Sequence, residues 1–96
     1  MSYEILVGLD VLDEAKYEEY RAAMKPILTS YHGNFGYDFK VSEVLIAKDD
    51  KNINRVFTIN FNNKNCMDEF FTDAQYRVIK NKYFEQSVGD VTIISS

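Results

Sequence analysis

Apolar side chains recur along the chain with two different periods, and the switches between them mark its elements. Tyr3, Ile5, Val7, Leu9 and Val11 alternate with Glu4, Leu6, Gly8 and Asp10, a period of two that predicts a strand. Asp13 follows as a helix N-cap, with Glu14 in the first turn complementing the helix dipole. Tyr17, Tyr20, Met24, Ile27 and Tyr31 then recur at alternating gaps of three and four, one apolar face of a helix. Pro26 removes one backbone bond within it and predicts a kink in the last turns. Gly33 is read as the stop.

Alternation returns at Phe35, Tyr37, Phe39 and Val41, a second strand that extends as far as Ala47 on this reading. The polar residues 48–54 (KDDKNIN) form a hairpin loop, and residues 55–61 a third strand with Phe57, Ile59 and Phe61 on one side. Asn63 caps a second helix whose apolar face is Met67, Phe70 and Phe71. Thr72 and Gln75 read as a capping box that restarts the helix, and Tyr76, Ile79 and Tyr83 continue it. Gly89 and Asp90 break it before a last strand over residues 91–95. The order β-α-β-β-α-β predicts an α+β, ferredoxin-like fold, a single domain over residues 1–96. Its four-stranded antiparallel sheet carries the helices on one face. The opposite face mixes Glu4, Gly8, Asp38, Thr58 and Asn60 with Leu6, Val56 and Ile94. That mixture suits either a solvated surface or a wet space between two facing sheets.

Composition narrows the partners. Apolar residues make up 46% of the chain and fourteen are Phe or Tyr, enough to offset the entropy of ordering a small domain. The net charge of −4 and the scatter of the basic residues argue against nucleic acid and anionic membranes as partners. A single cysteine, Cys66, fits a reducing compartment, and no signal peptide or membrane-length apolar run is legible, so the cytoplasm is expected.

Asp13, Tyr17, Tyr20, Pro26 and Tyr31-His32-Gly33 in the first helix carry a family likeness, together with Arg55-Val56, Asn60-Phe61, Phe70-Phe71 and Thr72-Asp73-Ala74-Gln75-Tyr76. This arrangement resembles the family called domain of unknown function 1330, of the dimeric α/β-barrel superfamily. The resemblance implies a homodimer in which two sheets face each other as a barrel, and it brings no assigned reaction. Relatives in the wider superfamily include cofactor-free monooxygenases, isomerases and degradative enzymes. The chain departs from the family pattern at His32-Gly33, usually Gly-Gly, at Asn60, often Glu, and at Phe70-Phe71, where a Trp is usual. Without that Glu, an acid–base role at position 60 is not expected.

His32, the only histidine, is the one candidate for proton transfer, set against a plain helix-terminal role. One His and one Cys fall short of a zinc site, and no cofactor is expected. Cys66 reads as a small inert hydrophobe, and no serine stands in a nucleophile elbow. Arg55, opening a strand, either grips a carboxylate ligand or pairs with Asp10, Asp73 or a loop acid. Tyr17, Tyr20, Tyr76 and Asn60 complete the candidate ligand-binding set. Topology places His32 and Arg55 at opposite ends of the sheet, roughly 20 Å apart at ~3.3 Å per residue. Two functions follow from these residues. One is a non-enzymatic dimerisation or ligand-sensing domain, which the missing acid–base pair favours. The alternative is a cofactor-free enzyme acting on a small anionic or aromatic metabolite.

Overall fold

The computed structural model describes residues 2–96. It shows strand β1 (Tyr3–Val11), helix α1 (Glu14–Ser30), strands β2 (Asn34–Lys40) and β3 (Arg55–Phe61), helices α2 (Lys64–Thr72) and α3 (Ala74–Ile79), and strand β4 (Val88–Ser95). Between α3 and β4 the chain makes a π-helical turn over Lys80–Phe84 and a last helical turn at Glu85–Ser87. The strands lie in the order β2-β3-β1-β4 with every neighbouring pair antiparallel. This is the ferredoxin-like arrangement, α+β with helices over one face.

Ile5, Val7 and Leu9 of β1 and Phe57, Ile59 and Phe61 of β3 form the floor of the core. Tyr17, Tyr20, Met24 and Leu28 of α1, Phe70 and Tyr76 cover it. The molecule is only 18 Å through its thinnest dimension. That thickness holds one sheet and one helical layer, given a layer spacing near ~10 Å. The second sheet face is therefore left without a covering layer.

Local chemistry explains most boundaries. Asp13 Oδ1 accepts the Lys16 amide at 3.1 Å and Asn63 Oδ1 the Cys66 amide at 2.8 Å, so both expected caps are in place. α1 runs unbroken through Pro26. It buries Leu28 rather than Ile27 or Tyr31, which are half-buried at the edge of the core. The stop differs from expectation. His32, not Gly33, takes the left-handed conformation (φ 62°), with its amide donating to Thr29 O and that of Gly33 to Leu28 O. Gly33 is needed for room, since a Cβ there would collide with the Leu28 side chain and come within 2.8 Å of Phe61. α3 is capped by Asp73, whose Oδ1 accepts the Tyr76 amide at 2.9 Å. Thr72 instead bonds back to Asp68 O at 2.8 Å as the last residue of α2. β4 begins at Val88, three residues before the pattern suggests.

The largest departure is in β2. Phe35 pairs with Ile59, but Asp38 pairs with Phe57, so Gly36 and Tyr37 together oppose Thr58. This β-bulge shifts the alternation by one residue. Tyr37 and Phe39 move to the uncovered face, where they stack at 5.8 Å and stand 64% and 53% exposed. Asp38 turns under the helices. The strand ends at Lys40 instead of reaching Ala47, and residues 41–54 carry no regular structure. The end of that segment is fastened to the sheet. Asn54 uses its side-chain amide to accept from Val11 N at 2.8 Å and donate to Val11 O at 2.9 Å, and Ile53 packs over Gly8. Farther out, Leu45 and Ile46 are 84% and 92% exposed. No helix of the described residues is long and apolar enough to cross a membrane.

Candidate functional site

Odd-numbered positions of β3 face the helices, so its first residue puts a guanidinium at the end of the core. Arg55 Nε and Nη2 donate to the two Asp38 oxygens at 2.8 Å each, a bidentate fork. Arg21 of α1 reaches the same carboxylate at 3.2 and 3.4 Å. The hydrogen bonds from Arg55 and the nearby charge of Arg21 hold the Asp38 carboxyl below its ordinary range. The same carboxylate drives the Arg55 pKa further up. The third nitrogen, Nη1, is buried without a hydrogen-bond acceptor, the Glu18 carboxylate standing 3.5 Å away. Tyr17 lies between the two cations, its ring 5.1 Å from Arg21 and 5.3 Å from Arg55. Its hydroxyl accepts from Arg21 Nε at 2.8 Å.

Beyond Tyr17 the surroundings become apolar. A cavity of about 300 Å³ opens between sheet and helices. Its floor comes from Ile5 and Val7 of β1 and Phe57 and Ile59 of β3, its roof from Tyr20 and Met24 of α1, with Tyr76 and Phe84 closing one side. The π-helical turn is what delivers Phe84, whose ring meets Tyr20 at 5.0 Å. The Tyr20 and Tyr76 hydroxyls hydrogen-bond to each other at 2.8 Å. Burial drives the Tyr20 hydroxyl well above the ordinary tyrosine range and raises that of Tyr76, so neither forms a phenolate near neutrality. Arg21 closes the Phe35 side, its guanidinium 3.9 Å above that ring. A smaller cavity of about 210 Å³ touches Arg55, Glu14, Lys40 and Asn54. There Lys40 holds Glu14 at 2.9 Å and lowers its carboxyl pKa, a tied-up pair rather than a free base.

Four of the sequence candidates thus form one continuous row. Arg55 sits over Tyr17, Tyr17 lies 5.8 Å from Tyr20, and Tyr20 touches Tyr76. Asn60 is not part of it: its side chain reaches Asn34 at 3.1 Å on the uncovered face. His32 lies beside Gly33 at the Phe61 end of the sheet, away from Arg55 at the other end of β3. Cys66 is half-buried against the core. The acid that holds Arg55 is Asp38, not Asp10, Asp73 or a loop residue. Sequence reasoning also passed over Arg21 and Phe84. The arginine carried a legible signal, being one turn after Tyr17 on the same helical face.

The sequence model of the family described as domain of unknown function (DUF1330) matches residues 2–96. No curated protein matches the chain. Among solved structures, a protein of unknown function from Rhodopseudomonas palustris superposes with a TM-score of 0.82 at 17% identity, over 97% of this chain and 78% of that one. A dabb family protein with a ferredoxin-like fold from Mesorhizobium loti gives 0.68 at 11% identity, over 99% and 94%. At such identities the likeness establishes the fold and leaves the chemistry to the site itself.

Proposed function

The chain belongs to the family described as domain of unknown function 1330, and from that premise we propose that it is a non-enzymatic ligand-sensing domain. It holds a small, mainly apolar molecule in the cavity beneath α1 and works as a homodimer through its uncovered sheet face. The observation that carries this reading is the cavity: about 300 Å³, walled mainly by aliphatic and aromatic side chains, with Arg21 and Lys80 beside them and no Asp, Glu or His in its lining. Pockets of this kind bind by burying apolar surface, while a few polar groups orient the occupant. Without a carboxyl or imidazole group in its lining, and with Lys80 beside Glu85 at 3.9 Å, the cavity is equipped to bind and not to move protons.

The Arg55–Asp38–Arg21 cluster supports the same reading. The Arg55 fork is filled by Asp38, so it does not stand open to a substrate carboxylate. Its role is to fix the end of the cavity. The homodimer is supported by the exposed Tyr37–Phe39 stack on a face no helix covers.

A titration with toluene, followed by methyl NMR, tests the cavity. Saturable shifts are expected at Ile5, Val7, Met24 and Ile59. Their absence up to the solubility limit, or shifts confined to the uncovered face, would overturn the reading.

A further inference from the structure

The Tyr20–Tyr76 pair contains an imbalance of hydrogen-bond donors. Each hydroxyl carries one proton, and their mutual hydrogen bond uses one of the two. The hydroxyl that accepts keeps its own proton, and among the described residues neither oxygen has another partner. Both side chains are almost wholly buried, at 5% and 3% exposure, and both line the larger cavity. A buried donor left unmatched is costly, so the occupant should bring an acceptor. It need bring only one, because the remaining wall is mainly hydrocarbon and its Tyr17 hydroxyl already accepts from Arg21. Nor should it be charged: Arg21 is held by Asp38, and Arg55, whose spare Nη1 has the Glu18 carboxylate 3.5 Å away, does not line this cavity. The rim residue Lys80 stands within 3.9 Å of Glu85.

Resting on the ligand-binding reading above, we infer that the cavity takes a neutral, mainly apolar molecule with a single carbonyl-type acceptor. The acceptor receives the unspent O–H of the Tyr20–Tyr76 pair, and the apolar body lies between α1 and the sheet. The hydroxyl pair is a relay in which one tyrosine polarises the other, making the outer O–H a better donor than a lone phenol.

Three probes of nearly one shape separate the possibilities: acetophenone, its hydrocarbon counterpart α-methylstyrene, and benzoate. In NMR titrations of the full chain, acetophenone is expected to bind about five- to tenfold tighter than α-methylstyrene, the worth of one net hydrogen bond. Benzoate is expected to bind more weakly than either. In the Tyr20→Phe/Tyr76→Phe variant the ketone should lose its advantage while the hydrocarbon keeps its affinity. Each single variant retains a proton to donate and should retain most of the discrimination. The infrared carbonyl band of acetophenone bound to the unmodified protein gives a second readout, free of any folding defect in a variant, and should move to lower frequency than in hexane.

Equal binding of ketone and hydrocarbon would overturn the inference, since ordered water would then be satisfying the O–H. So would tighter binding of benzoate, or an advantage that survives the double variant. In those cases toluene still binds and the ligand-sensing reading stands. If toluene and all three probes fail to bind, both fall.

Discussion

Asp38 keeps 31% of its side-chain surface in water and Arg55 only 10%, and that difference sets what each contributes. Asp38→Ala leaves a buried guanidinium with an empty fork. The expected cost is about 2–4 kcal/mol, somewhat under that of a fully buried pair because solvent reaches the site. Arg55→Met keeps the apolar stem and leaves Asp38 with Arg21 and water, so it should cost about 1 kcal/mol or less. Urea midpoints at constant slope would measure both, and the reverse order would disprove the assignment. Acid titration adds a sign. The folded-state pKa of Asp38 lies below its unfolded value, near ~3.9. Its contribution is therefore complete above that value and is lost as pH falls through the folded pKa. The urea midpoint should decline below about pH 4, and Asp38→Ala should flatten part of that decline. That Arg55 grips a carboxylate was legible in the chain, with a ligand's and the protein's own left as alternatives; the one it holds is Asp38. Its identity was not legible, because strict alternation assigns Asp38 to the other side of the sheet.

The element that hides this information is the bulge in β2. Gly36 sits where a Cβ would approach Thr58 Oγ1 to 2.6 Å and Asn60 Nδ2 to 3.0 Å. Thr58 Oγ1 is the acceptor for the Tyr37 amide at 2.8 Å, so the bulge is closed by a side chain rather than by the ladder. Gly36→Ala should cost about 1–3 kcal/mol. In a Thr58→Ala background the same change should cost clearly less, because the atom it strikes is gone. A double-mutant cycle reads the coupling, and strict additivity would show that the bulge does not depend on this contact. The helix caps at Asp13 and Asn63 were legible because capping is local, a side chain meeting an amide three residues on. The bulge, the Asn54 clamp on β1 and the left-handed His32 were not. Each is decided by a strand or side chain distant in sequence: Thr58, Val11 and, for the crowding that requires Gly33, Phe61.

For the whole molecule, the element order was enough to foresee the ferredoxin-like sheet, since split β-α-β units with right-handed crossovers leave few alternatives. The pattern could not show how much apolar surface the uncovered face would expose, because the bulge moves Tyr37 and Phe39 there. The proposed homodimer predicts a particle of twice 11.2 kDa in light scattering. Phe39→Lys, on the edge strand β2 of that face, should shift it toward the monomer while leaving the far-ultraviolet circular dichroism unchanged. A monomer at high micromolar concentration in the unmodified protein would dismiss the proposal. The order β2-β3-β1-β4 has one more consequence. Divide the chain in the exposed stretch between Leu45 and Ile46, and β1 and β2 fall in one piece, β3 and β4 in the other. Every hydrogen-bonded strand neighbour then belongs to the opposite piece, so neither fragment can pair a single strand within itself. Two separately expressed halves should each remain unfolded and should reassemble, when mixed, at a rate proportional to both concentrations. The protein is in this sense a natural split reporter, silent in halves and folded only when the halves meet.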